Sequence, residues 1–133
     1  LGALFRRRRL EQNKMEEAIT CRPADKIEPE WDKMVEEAKA NGIDAVGVKL
    51  SMNYSGLYLA ENENGQGIIK AVFDKKKKTM IGATIVGGPA SELITICGMM
   101  IDNELPVERM KAYVFPHPTC AEAIREAIFA AKL

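Results

Sequence analysis

Apolar residues recur along this chain with two different periods, and the periods are segregated. Trp31, Met34, Val35 and Ala38 fall on one face of a helix that is expected to start at Pro29. Asn41-Gly42 then supplies a stop, because glycine takes the left-handed backbone that ends a helix. Ala45-Val46-Gly47-Val48-Lys49-Leu50 reads as a strand. Gly67–Phe73 and Thr79–Val86 read as two more, paired as a hairpin through the turn Asp74-Lys75-Lys76-Lys77-Lys78. After Gly87-Gly88-Pro89 the helical period returns, with Leu93, Ile94, Ile96, Cys97, Met100 and Ile101 inside Ala90–Asp102. Pro106 opens a short helix, and Thr119 starts a last one that reaches about Ala131.

Two stretches lack such a period. Residues 51–66, rich in Asn, Ser, Gly and Glu, read as a long connection with a short strand near Leu57–Leu59. Leu10–Ala18 reads as a weakly amphipathic helix, followed by a loop punctuated by Pro23 and Pro29. The chain divides into a divergent N-terminal segment, 1–33, made of a basic helix and a loop, and a regular domain, 34–133. Strands and helices that cluster instead of alternating predict an α+β domain, an antiparallel β-sheet with helices packed on it.

Charge and cysteine usage narrow the function. The 133 residues suffice for one domain with a proper core, too few for a nucleotide-binding enzyme built from two or three. Lys plus Arg and Asp plus Glu number 19 each, so no global field draws the chain toward nucleic acid or a membrane surface. No apolar run approaches the roughly 20 residues a membrane helix needs. Arg6-Arg7-Arg8-Arg9 has no interleaved aromatic and reads as a solvated tail, and Lys75–Lys78 as a solvated turn. Cys21, Cys97 and Cys120 form no C-x-x-C pair, and the single histidine cannot complete a zinc site of usual spacing, so no metal is expected. A reducing, cytoplasmic setting fits this usage. The chain starts with leucine, which suggests residues upstream.

The densest chemistry lies in Phe115-Pro116-His117-Pro118-Thr119-Cys120-Ala121-Glu122. Two prolines hold His117 on stiff backbone just before a helix. Glu122, in the first turn of that helix, can fold back onto the ring, select its tautomer and leave the other nitrogen for proton transfer. Thr119-x-x-Glu122 also has the form of a capping box, in which the glutamate satisfies the threonine amide. One carboxylate has two oxygens, so both readings stay open. Cys120, near a helix N-terminus, offers a third: a thiol enzyme built on Cys120 and His117. Gly87-Gly88-Pro89 precedes a helix, but without G-x-G-x-x-G the glycines read as a tight turn and not a phosphate cradle.

Taken in order and spacing, Gly67-Ile68-Ile69-Lys70, Ile81-Gly82-Ala83-Thr84-Ile85-Val86-Gly87, Ala90-Ser91-Glu92-Leu93-Ile94, His117-Pro118-Thr119 and Glu122-Ala123 resemble one known domain. It is the C-terminal dimerisation domain of the pyridine nucleotide-disulfide oxidoreductases, the dihydrolipoamide dehydrogenase and glutathione reductase family. The resemblance covers about residues 34–131 and makes 34–133 the interface domain. It implies a homodimer in which His117, oriented by Glu122, acts as acid/base on the partner subunit's redox disulfide. It implies flavin contact at Pro116, His117 and Pro118, and a cis His117–Pro118 bond. FAD and NAD(P) would belong to the full-length enzyme, an oxidoreductase acting on sulfur groups, and none is expected on this chain alone.

The chain departs from that pattern in several places. Phe115 stands where relatives often carry another histidine, and Pro116 leaves only a carbonyl for a flavin contact. The usual first strand is not clear in residues 18–33. The flavin and nicotinamide fingerprints and the redox cysteine pair lie outside these 133 residues, so the chain is expected to be inactive alone, its FAD- and NAD-binding domains missing. The alternative is a stand-alone binding or regulatory module that kept the fold and lost the chemistry.

Overall fold

A computed structural model describes residues 2–9, 15–22, 24–63 and 65–133, with side chains described from Trp31 onward. In chain order the strands are β1 (Gly2–Arg9), β2 (Met15–Arg22), β3 (Ala45–Ser51), β4 (Ile68–Asp74) and β5 (Thr79–Val86). The helices are α1 (Ala24–Ala40), α2 (Gly56–Glu61), α3 (Ala90–Asp102), α4 (Val107–Lys111) and α5 (Glu122–Ala130). The hairpin expected from the sequence is the centre of the sheet, with β4 and β5 paired antiparallel from Ile68↔Val86 to Asp74↔Thr79. Asp74 fixes its turn by accepting the amides of Lys76 and Lys77 on Oδ1 at 2.9 and 3.0 Å, while the lysines stay in solvent.

Strand order is β2-β1-β5-β4-β3, antiparallel throughout. This is the α+β architecture that the segregated periods predict. The residues of β4 are buried almost without interruption, because helices cover both faces of the sheet at that strand. On one face lie α3 and α5, whose Ile94, Ile101, Ile124 and Ile128 pack with Ile69, Phe73 and Ile85, all fully buried. Burying each such side chain stabilises the fold by about 1.5–3 kcal/mol. On the other face α1 brings Met34 and Ala38 onto Ala45 and Val72. Gly82 permits that approach, since a Cβ there would collide with Met34 Sδ.

The structure differs from the sequence reading in its first third and in one connection. Of the helix expected over 10–18, residues 10–14 lie outside the described residues, and Met15–Arg22 is the strand β2. Arg6–Arg9 belongs to β1 and is not a tail; the register sets Arg7 opposite Glu17 and Arg8 opposite Glu16. Helix α1 starts at Ala24, not Pro29, and carries Pro29 within it. Proline has a helix-compatible φ and forfeits one backbone bond. The connection 51–66 holds a 3-10 turn at Met52–Tyr54 and helix α2 in place of a strand at Leu57–Leu59. Ser51 and Ser55 cap these turns by accepting the amides of Asn53 and Tyr58 at 3.1 Å each, so the residues that made the stretch look like a loop are those that start its helices.

Candidate acid/base site

Helix α4 ends at Lys111, and the chain then runs without regular structure through Tyr113-Val114-Phe115-Pro116-His117-Pro118 before α5. The His117–Pro118 bond is cis, as expected. Thr119 Oγ1 donates to the Pro116 carbonyl at 2.8 Å and closes the segment into a turn. That turn brings His117 Nδ1 to 2.9 Å from Glu122 Oε1, while Glu122 Oε2 accepts the Thr119 amide at 3.0 Å. One carboxylate therefore fills both roles read from the sequence. The reciprocal half of the capping box is absent, because the threonine hydroxyl turns back to Pro116 and α5 has no side-chain cap.

An ionised carboxylate only accepts hydrogen bonds, so Nδ1 carries a proton and the neutral ring keeps its lone pair on Nε2. The His117 side chain is 76% exposed and Glu122 only 20%. The acid is held by the buried residues Ala123, Ile124, Ala127 and Ile128 of its own helix. The Thr119 amide, and next the His117 contact, hold the Glu122 carboxyl below the usual carboxylate range, against a smaller opposing effect of burial. Glu122 is thus a fixed anion that presents an imidazole outward, an arrangement suited to moving one proton at Nε2.

Next to this turn lies an apolar groove of about 610 Å³, whose lining includes Ile96, Met99, Tyr113, Val114, Phe115 and Pro116. Val114 is 90% exposed, Met99 59% and Tyr113 51%, an apolar patch of the kind that marks an interaction surface.

The other candidates fare differently. Burial, and then the charge of Glu61, push the Cys120 thiol up, only partly offset by a hydrogen bond with Ser55. A catalytic cysteine needs the opposite shift, and the His117 ring is engaged by Glu122. Cys97 lies in the core, where burial pushes it up to about 12. Gly87, at φ 153, turns the chain into α3 against the Tyr58 ring. Sequence reasoning missed Ser55. Its buried hydroxyl donates to the Thr119 carbonyl at 2.9 Å, and the only signal was a serine that can cap the helix after it.

An antiparallel sheet covered by helices, with an exposed apolar patch near an outward-facing histidine, is the architecture of an interface domain. Comparison with known proteins makes this specific. Residues 34–128 match the family model described as the pyridine nucleotide-disulphide oxidoreductase dimerisation domain. Dihydrolipoyl dehydrogenase 2 of Haloarcula marismortui is 35% identical over 96 residues, 72% of this chain and 20% of the relative. The dihydrolipoyl dehydrogenase of Geobacillus stearothermophilus is 34% identical over 92 residues, 69% of this chain and 19% of the relative. The HOCl-induced flavoprotein disulfide reductase RclA of Escherichia coli superposes with a TM-score of 0.66 at 28% identity, covering 73% of this chain and 22% of that one. The chain belongs to the pyridine nucleotide-disulphide oxidoreductase family and is a dimerisation domain of it. It spans about a fifth of the length of the curated relatives it matches. Among the described residues, no helix is long and apolar enough to cross a membrane.

Proposed function

We propose that His117 and Glu122 are the acid/base pair which this domain, as half of a homodimer, supplies to a redox disulfide in the partner subunit of a flavin-dependent oxidoreductase. The observation that carries this reading is the exposed imidazole, held through Nδ1 by a fixed carboxylate, one residue beyond Pro116 of an apolar groove. Thiol–disulfide exchange needs such a group. As a substrate thiol attacks the disulfide, its S–H proton passes to Nε2, a new S–S bond forms and the displaced sulfur leaves as a thiolate. In the return direction the imidazolium gives that proton back. Glu122 holds the ring and stabilises its charged form.

FAD and NAD(P), bound by further domains of a longer polypeptide, would pass electrons to or from that disulfide. Pro116, His117 and Pro118 are exposed on a turn, so they fit edge contact with a flavin held elsewhere. The Pro116 carbonyl already accepts Thr119 Oγ1 and keeps one lone pair for such a contact. Residues 34–133 constitute the interface unit, and the chain alone is inactive for want of a disulfide and an electron carrier. Dihydrolipoamide is the preferred substrate class, from the relatives' names.

The test is a chimera in which residues 34–133 replace the matching segment of the Geobacillus stearothermophilus dihydrolipoyl dehydrogenase. His117→Gln in that chimera is expected to lower kcat by about 100-fold or more, the usual scale of general acid–base catalysis. An unchanged kcat would remove the proposed role.

A further inference from the structure

The turn that carries His117 is held from a second direction. Pro116, His117 and Pro118 are exposed, so hydrogen bonds, more than packing, decide where the ring points. Ser55, fully buried and 64 residues earlier in the chain, donates its Oγ proton to the Thr119 carbonyl at 2.9 Å and accepts the Tyr58 amide at 3.1 Å. A hydroxyl has one proton and two lone pairs, so both bonds coexist. The Thr119 carbonyl also accepts the Glu122 amide at 3.3 Å, while the Glu122 carboxylate takes the Thr119 amide. The two peptide groups around Thr119 are thereby tied one to Ser55 and the other to Glu122.

Ser55 itself sits on a firm base. Tyr58, one turn on, is 3% exposed, and its ring lies so close to Gly67 that a Cβ there would collide with the phenol oxygen. At Gly87 the same addition would stand 3.0 Å from that oxygen. Met52, just before Ser55, is fully buried. The N-terminus of α2 is thus seated in the core, and the Ser55 hydroxyl ties the His117 turn to it through the Thr119 carbonyl.

We infer that Ser55 is a positioning residue for the acid/base pair: its buried hydroxyl fixes the Thr119 carbonyl and so keeps the Glu122 carboxylate in reach of His117 Nδ1. This rests on the proposed role of the pair, but its test reads geometry and not activity.

His117 is the sole histidine of the chain, so its ring gives one set of ¹⁵N resonances. A neutral imidazole free in water favours the Nε2–H tautomer, whereas the Glu122 contact demands Nδ1–H. In the 133-residue chain, at a pH where the ring is neutral, wild type is expected to show Nδ1–H and Ser55→Ala predominantly Nε2–H. Leu59→Gly weakens α2 on its exposed side without touching the hydroxyl, and is expected to keep the wild-type tautomer. Retention of Nδ1–H in Ser55→Ala, or its loss in Leu59→Gly, would overturn the inference. Should Ser55→Ala not fold, Ser55→Cys under reducing conditions keeps the volume, loses the strong donor and reads the same two outcomes. A His117 variant with unchanged activity would sink the acid/base role and leave this geometry standing.

Discussion

His117 Nδ1 stands 2.9 Å from Glu122 Oε1, although 76% of the histidine side chain is open to water. The pair persists because the acid is the fixed member. Its second oxygen is tied to the Thr119 amide and its helix is seated in the core. Glu122→Gln keeps an oxygen for that amide but turns an N–H₂ donor toward the ring. It is expected to fold and to switch His117 to the Nε2–H tautomer, whereas Glu122→Ala also lowers Tm. Thermal melts with ring ¹⁵N spectra separate the two effects, and equal Tm values for both variants would contradict the capping role.

Glu122 also makes acid stability predictable in sign. Its carboxyl lies lower in the folded chain than its ordinary value of 4.5, through the Thr119 amide first and His117 second. A group depressed on folding contributes stability that is complete above the ordinary value and fades as pH falls through the folded one. The Tm advantage of wild type over Glu122→Gln is therefore expected at neutral pH and to shrink below pH 4.5. An advantage constant across that range would contradict the assignment.

The cysteines are expected to separate by reactivity. Cys97, fully buried and pushed up to about 12, should resist alkylation in the native chain and react only after unfolding. Cys120, partly exposed with its thiol also raised, should react more slowly than a free thiol. Peptide mapping after brief iodoacetamide treatment at neutral pH checks both. Rapid labelling of Cys120 would revive the thiol-enzyme reading.

What the sequence made legible is what short-range physics decides. The β4–β5 hairpin declares itself by an apolar run on each side of a charged turn, and α3 by seven buried residues at helical spacing. The His117–Glu122 contact was legible because it spans five positions and lies between prolines and a helix start. Strand β2 was not, since Met15-Glu16-Glu17-Ala18 shows no alternation and is recruited by pairing with β1. Helix α2 was hidden because serine, asparagine and glycine favour loops and caps alike. Ser55 was out of reach altogether: its bond to Thr119 crosses 64 residues and follows no period.

Val114 and Met99 are too exposed for a domain that acts alone. Sedimentation velocity at micromolar concentration is expected to show a species of twice the 14.7 kDa chain mass. Val114→Asp, which alters a 90% exposed side chain and should leave the fold intact, is expected to sediment at 14.7 kDa. A wild-type chain that stays at 14.7 kDa throughout would contradict a homodimer.

The claim on which the rest depends is that His117 serves a disulfide in another subunit, and mixed dimers address it directly. One chimeric subunit carries His117→Gln with its redox cysteines intact; the other keeps His117 and has those cysteines replaced by serine. Each homodimer is expected to be inactive. If the base acts across the subunit boundary, the mixed dimer contains one complete site and recovers activity. A mixed dimer as inactive as its parents, with both subunits shown to be present, would contradict the account.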